Sequence, residues 1–278
     1  MDVDYTNEEL KLVKKAELKI LKHVIECCTT LNIPYFLVYG TALGAVRHGG
    51  FIPWDDDIDI GLTRKNYERF IAEAPKWFNK TEMFVEHLTT EKTCPYTFAK
   101  VRLNNTVFSE YATRNIKCHQ GVFVDVFPFD EVPASIEKQK KQYYKVQKLS
   151  RRYAYRQIPD ISEKPNNLKL HIKSIFRKLI FVVYHAKSPE KIYHELTREM
   201  KKYNGCNSGI YGCLLYPKFQ AGCMTKEMVT NLKTIQFENL QASIPENVEE
   251  YLYSQYGDYM KLPPVEERVG HKPYEIKL

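Results

Sequence analysis

The sequence predicts an α/β fold in which helices flank a mixed β-sheet and a basic helical insertion interrupts the core. Segments with apolar residues at helical spacing alternate along the chain with short runs of β-branched and aromatic residues, which predicts the sheet and its helices. Residues 137–202 contain 18 Lys or Arg against 6 Asp or Glu, which predicts the insertion. We therefore expect a core at residues 1–133, a basic helical subdomain at 134–204, and a segment at 205–278 that completes the core.

The first part of the chain alternates helices and strands. Residues 7–31 place apolar side chains at helical spacing, and Pro34 ends that helix. The apolar run at residues 35–39 predicts a buried strand, which a tight turn at Gly40–Thr41 joins to a short helix at 42–47. The other elements predicted here are a helix at 64–77 and strands at 57–61, 84–88, 96–103, 106–111 and 121–127, the last ended by Pro128.

The second half begins with three predicted basic helices at residues 134–155, 168–185 and 189–203. Residues 171–184 mix bulky apolar side chains with cations, a composition that can lie on an anionic membrane surface. A solvated helical subdomain packed on the core is the simpler interpretation of the same residues. Strands at 209–216 and 234–240 and a helix at 248–256 follow.

The overall composition is that of a soluble globular protein. Of 278 residues, 44% are hydrophobic and 27% charged, and the net charge of +7 suits an anionic partner. No signal-peptide pattern is evident and no apolar run is long enough to span a bilayer, so we expect a cytoplasmic protein. The seven irregularly spaced cysteines favour a reducing compartment, and small buried thiols explain Cys206, Cys213 and Cys223 better than a zinc site does.

Three aspartates are the candidate catalytic residues. Asp57 and Asp59 alternate with isoleucines on a predicted strand, so their side chains share one face. Asp125 lies within an apolar run, where a lone carboxylate is costly to bury without a partner. A hard cation such as Mg²⁺ would neutralise this set, whereas a solvated acidic turn is the plainer interpretation of residues 55–59.

Carboxylates in this order suit phosphoryl or nucleotidyl transfer. Metal ions held by shared carboxylates can bridge a phosphate and activate an attacking hydroxyl, and backbone N–H groups at the Gly40–Thr41 turn could bind an anion. Lys100 and Arg102 alternate on one predicted strand and face the same way, as counter-charges in a phosphate-binding cleft would. Glycosyltransferases also bind sugar nucleotides through two aspartates two residues apart, so the chemistry alone leaves that class open.

The segment YGTALGAVRHGGFIPWDDDIDI at residues 39–60 closely resembles the signature of the LicD family, phosphotransferases related to the fukutins. GVFVDVFPFD at 121–130 and the segment 251–271 resemble the second and third blocks of the family. The resemblance implies a nucleotidyltransferase-type core whose Asp57, Asp59 and Asp125 bind one or two Mg²⁺ ions, with Mn²⁺ able to substitute. It also implies transfer of a phosphorylated alcohol from a CDP-activated donor to a glycan hydroxyl, with release of CMP.

In the bacterial branch of this family the donor is typically CDP-choline and the acceptor a teichoic acid precursor or a lipopolysaccharide sugar. We expect a lipid-linked acceptor at the inner face of the plasma membrane, and no nucleic-acid partner. Other CDP-alcohols, such as those of ribitol or glycerol phosphate, and a catalytically dead glycan-binding module remain alternatives. The residues expected to bind substrate are Gly40, Thr41, Arg47, His48, Trp54, Lys100, Arg102 and His271, with Trp54 and tyrosines forming an aromatic box for choline.

Overall fold

A mixed β-sheet with helices packed on it confirms the predicted fold class. The computed structural model describes residues 6–220, 222–268, 270 and 273–278. Its first half contains α1 (Asn7–Thr30), β1 (Phe36–Leu37), α2 (Tyr39–His48), β2 (Asp59–Thr63), α3 (Arg64–Phe78), β3 (Met83–Glu86), β4 (Ala99–Leu103), β5 (Val107–Ser109) and β6 (Phe123–Glu131). Its second half contains α4 (Ile136–Gln157), α5 (Leu168–His185), α6 (Pro189–Met200), β7 (Ile210–Gly212), β8 (Met224–Thr225), α7 (Lys226–Thr230), β9 (Leu232–Phe237), β10 (Leu240–Pro245), α8 (Val248–Tyr256) and β11 (Glu275–Lys277).

The main sheet runs in the order β1-β2-β6-β4-β3, and β7 and β8 extend it from the far end of β6. Strands β2 and β6 are parallel, whereas the other pairs are antiparallel. Because β2 and β6 are parallel neighbours, residues that are distant in the chain lie side by side on one face of the sheet. This pairing positions the candidate site.

Helix α1 begins at a complete capping box. The Thr6 hydroxyl accepts a hydrogen bond from the Glu9 backbone N–H, and the Glu9 carboxylate accepts one from the Thr6 N–H. Its apolar stripe, which includes Val13, Ile20 and Val24, is fully buried in the main core. The helix therefore forms one wall of the core, as its periodicity predicts.

Strand β6 is longer than predicted because Pro128 does not end it. The Asp125 N–H points towards β2 and donates to Ile58 O. Because successive backbone N–H groups point to alternate edges of a strand, the nitrogen of Pro128, three residues on, points to the other edge. On that side β4 pairs only as far as Val126, and β7 begins to pair at Asp130. The missing N–H of Pro128 thus faces a gap in the ladder and breaks no hydrogen bond.

The basic helices pack with their own small core. Helices α4 and α6 are in contact, whereas α5 buries a single residue, Ser174. None of the helices in the described residues is long and apolar enough to cross a membrane. The domain boundaries at residues 133 and 204 stay a prediction. The small core draws on both sides of those boundaries, since it contains Val132, Tyr143, Val146, Leu149, Leu196, Met200 and Leu214.

Candidate active site

A row of charged residues crosses the sheet at the middle of the candidate site. Asp59 on β2 lies directly opposite Asp125 on β6, Asp125 opposite Lys100 on β4, and Lys100 opposite Glu86 on β3. Directly paired residues of neighbouring strands share a face, so four charged side chains line up on one side of the sheet. Asp59 and Asp125 are thus brought together by strand pairing, as the sequence predicts.

The start of α2 meets the Asp55 side chain at Gly40. A Cβ atom at position 40 would lie 2.7 Å from the Asp55 Oδ2 atom, so a larger residue would force that carboxylate to shift. The preceding residue, Tyr39, has a left-handed backbone (φ 50°), a strained conformation for a bulky side chain. The predicted turn is therefore the strained first turn of a helix, which starts three residues earlier than expected.

Thr41 has an internal role in addition to any contact with a ligand. Its hydroxyl accepts a hydrogen bond from the Asp59 N–H at 2.8 Å, and the side chain is buried. The first turn of α2 is thereby fixed to the strand that carries Asp59. Contact of Gly40 and Thr41 with a donor phosphate stays a prediction.

The aspartates of the site repel one another. Burial and then the charges of Asp57 and Asp125 raise the pKa of Asp59 well above its ordinary value, and Asp55 adds to this effect. Burial also raises the pKa of Asp125, against the opposing charge of Lys100. Without added positive charge the ionised cluster is therefore unfavourable.

Lys100 supplies one positive charge inside the site. Its ammonium group donates to Asp125 Oδ1 at 2.6 Å, and its side chain is 3% exposed. The ammonium also lies 3.4 Å from the ring centroid of Phe123 and 4.5 Å from that of Tyr96. These rings hold the cation by cation–π attraction beside Asp125.

We expect Lys100→Met to lower the transfer rate by about 10²-fold, because a buried charge next to the reacting groups is lost. The Lys100 charge lowers the pKa of Asp125, so its removal should raise that pKa further and move the acid limb of the pH–rate profile to higher pH. The measurement is kcat/KM against pH, with the exposed Lys148→Met as control. An acid limb that stays in place would contradict this role for Lys100.

The prediction that Arg102 faces a substrate phosphate is wrong. Arg102 is 1% exposed, and its guanidinium forms a buried ion pair with Glu86 and donates to Gly121 O at 2.6 Å. It shares a face with Lys100, as strand alternation requires, but Glu86 on the neighbouring strand neutralises it. Arg102 therefore stabilises the sheet and is closed to a ligand.

Comparison with known proteins identifies the family. Residues 32–161 match the family described as LicD/FKTN/FKRP, nucleotidyltransferase domain. The chain is 32% identical over 269 residues to the lipopolysaccharide cholinephosphotransferase LicD of Haemophilus influenzae. The aligned region covers 94% of this chain and 93% of that protein. The chain belongs to the LicD family. It is an enzyme of the class that transfers a phosphorylated alcohol, so the resemblance is confirmed.

A second relative matches only a short part of the chain. The chain is 42% identical over 41 residues to the ribitol 5-phosphate transferase FKRP of human and of mouse. The aligned region covers 15% of this chain and 8% of each relative. This short match is local, in contrast to the near full-length match to the bacterial LicD protein.

Three further residues predicted from the LicD-family signature are Arg47, His48 and Trp54. Arg47 and His48 end α2, at the opposite end from Gly40, and Arg47 donates to Tyr259 O at 2.8 Å. Arg47 thus ties α2 to the C-terminal segment, and its role as a counter-charge stays a prediction. The ring of Trp54 lies 5.1 Å from the Arg268 guanidinium, so its face already carries a cation. His271 lies outside the described residues.

Glu17 on α1 is a carboxyl that the sequence prediction missed. It is 1% exposed, and among the described residues its Oε2 atom has no hydrogen-bond partner. Burial and then the charge of Asp57 raise the pKa of Glu17 well above its ordinary value. One turn earlier, Lys14 Nζ donates to Ile52 O and Pro53 O, which holds the acidic segment against α1. A sequence signal for Glu17 did exist, because an acidic residue interrupts the apolar stripe of α1 at this position.

Tyrosines from the C-terminal segment complete the site. Tyr216 stacks on Tyr39 with ring centroids 4.3 Å apart, and the hydroxyl oxygen of Tyr251 accepts a hydrogen bond from the Tyr39 backbone N–H. Burial and then the charge of Asp59 raise the pKa of Tyr216, and Asp59 also contributes to the raised pKa of Tyr256. Aromatic rings therefore lie near the carboxylates. No sequence signal distinguished them from the other tyrosines.

The donor set suits a hard divalent cation. Asp57, Asp59 and Asp125 offer carboxylate oxygens, and a cation bound among them would offset the burial and the mutual repulsion that raise the pKa of Asp59. Within residues 6–220, 222–268, 270 and 273–278, no three His, Cys, Asp or Glu side chains are gathered as a preformed metal site. The same holds for Cys206, Cys213 and Cys223, which are free thiols.

Proposed function

We propose that this LicD-family enzyme transfers phosphocholine from CDP-choline to a hydroxyl of a cell-surface glycan precursor, teichoic acid or lipopolysaccharide, with Mg²⁺ and release of CMP. The observation that carries the proposal is the direct pairing of Asp59 with Asp125, beside Asp57 and the first turn of α2. The near full-length similarity to a lipopolysaccharide cholinephosphotransferase supports choline as the alcohol.

In the proposed reaction, the acceptor oxygen forms a bond to the phosphorus that carries choline, and the bond from that phosphorus to the CMP oxygen breaks. The hydroxyl proton passes to a carboxylate of the row. Mg²⁺ held by Asp57, Asp59 and Asp125 would neutralise the phosphates and lower the pKa of the acceptor hydroxyl. Lys100 places further positive charge beside Asp125, where negative charge develops.

The aromatic cluster supports a quaternary ammonium donor. Cation–π attraction is the main means by which proteins hold choline, and Tyr216 and Tyr256 lie near Asp59 with their rings partly exposed. Transfer of ribitol phosphate is the second candidate, and the local match to FKRP supports it. Seven free thiols are in keeping with a reducing, cytoplasmic location for the reaction.

The test is CMP release from a panel of CDP-alcohols with and without Mg²⁺. We expect turnover of CDP-choline, and we expect Tyr216→Leu to raise KM for CDP-choline about tenfold because one cation–π contact is lost. The exposed Tyr253→Leu on α8 serves as control and should leave KM unchanged. Faster turnover of CDP-ribitol would favour the second candidate, and no CMP release from any donor would favour a catalytically dead module.

A further inference from the structure

Helix α5 exposes an apolar stripe to solvent. Seven large apolar side chains on it are between 45% and 76% exposed, although burial of such groups is favourable. At 3.6 residues per turn they fall within an arc of about 120° over a length of about 23 Å. They are Leu168, Ile172, Ile175, Phe176, Leu179, Val182 and Val183.

The stripe is held outward by contacts on the other side of the helix. Arg177 donates to Ala154 O on α4 at 2.7 Å, and its guanidinium lies 4.6 Å from the ring centroid of Tyr155. Ser174, the one buried residue of α5, lies on the same inward side. The orientation of α5 is therefore set by α4, and the apolar stripe is the face left without a partner among the described residues.

Cations border the stripe on both sides. By helical position, Lys169 and Lys173 flank one edge and Lys178 flanks the other, and all three are exposed. Helix α5 carries four Lys or Arg and neither Asp nor Glu. An apolar face with a cationic border is the pattern of helices that lie in the plane of an anionic membrane surface.

We propose that α5 docks this protein on an anionic membrane surface, with the apolar stripe inserted among the acyl chains and Lys169, Lys173 and Lys178 against lipid phosphates. A second copy of the chain is the competing occupant. Symmetric pairing through α5 would oppose two basic faces, within a region that holds 18 Lys or Arg against 6 Asp or Glu, and such like-charge contacts are costly. Charge complementarity therefore favours the membrane.

One edge of the apolar stripe adjoins a cavity, which gives this docking a consequence for the acceptor. The cavity has a volume of about 500 Å³ and is lined by Phe176 of the stripe and by Lys173, Tyr155 and Glu110 among others. The cavity thus adjoins the docking face, a position suited to an acceptor still attached to lipid. This last step rests on the proposed function, whereas the docking does not.

The test is co-sedimentation with vesicles of phosphatidylcholine alone and of phosphatidylcholine mixed with phosphatidylglycerol. We expect binding to the anionic vesicles that weakens with salt, and at least a tenfold loss of binding in Leu179→Glu/Val182→Glu. The double variant Leu12→Glu/Val265→Glu makes the same charge change at exposed apolar residues elsewhere and should bind like wild type. Circular dichroism verifies that each variant is folded.

Three results would overturn the docking proposal. The first is equal vesicle binding by the stripe variant and the wild type, and the second is equal binding to neutral and anionic vesicles. The third is absence of vesicle binding, and a dimer seen by analytical ultracentrifugation that the stripe variant abolishes would then identify a second copy as the occupant. Because Asp59→Asn should bind vesicles like wild type, failure of the docking and failure of the proposed catalysis are distinguishable.

Discussion

Asp59→Asn is expected to reduce CMP release by on the order of 10³-fold while the protein remains folded. Asp59 is the carboxylate that faces Asp125 across the parallel β2–β6 pair, and its backbone N–H holds Thr41 at the start of α2. Asparagine preserves the size of the side chain and that backbone contact but removes the charge. The rate should fall because a cation bound at this position would lose one of its carboxylate ligands.

The same substitution should not lower stability at neutral or alkaline pH. The folded-state pKa of Asp59 is raised, so its contribution to stability is present below the unfolded-state pKa and is lost as pH rises through the folded-state value. Above that value the ionised cluster destabilises the fold, and Asp59→Asn removes this repulsion. At pH 8 the free energy of unfolding of the variant should equal or exceed that of the wild type.

Metal dependence gives a readout that does not require turnover. A cation that binds the folded state alone raises the melting temperature, so Mg²⁺ should stabilise the wild type and have little effect on Asp59→Asn. Glu163→Gln removes an exposed carboxylate from a loop and should behave as wild type in both assays. Wild-type turnover by Asp59→Asn, or equal stabilisation of both proteins by Mg²⁺, would rule out Asp59 as a metal ligand.

Arg102→Met is expected to cost about 3–5 kcal/mol of folding free energy, the usual effect of removing one partner from a buried ion pair. The change would leave the Glu86 carboxylate charged and unpaired at 0% exposure, and the Gly121 carbonyl would lose its donor. Urea denaturation measures the loss. The exposed Arg151→Met on α4 is the matched control and should change stability by less than about 0.5 kcal/mol.

A double variant separates the structural role of Arg102 from a catalytic one. Arg102→Met/Glu86→Leu removes both charges and should recover a large part of the lost stability, since the cost of a single change arises from the unpaired partner. If Arg102 instead bound substrate phosphate, the single variant would lose activity with little loss of stability. That outcome would contradict the assignment drawn from the Glu86 pair.

Local patterns in the sequence were sufficient for the helices and for most strands. Strand β2 begins at Asp59, so the alternation predicted along 57–61 does not include Asp57. The bounds predicted for α1 and α5 agree closely with those observed, because the patterns that indicate a helix arise from neighbours within the same element. Alternation on strands placed Asp125 and Lys100 on the site face. The end of β6 was missed, because the tolerance of Pro128 depends on which neighbouring strands pair beside it.

The sequence by itself determined the family and most of the secondary structure, and it predicted candidate residues for the chemistry. Tertiary structure alone decided which of them meet: Lys100 pairs with Asp125 in the site, whereas Arg102, two residues on, is neutralised by Glu86. It also brought Glu17 and Tyr216 to the carboxylates from distant parts of the chain. The physical reason is that charge and proton affinity depend on partners across strands and helices, and the spacing of residues along one element does not specify those partners.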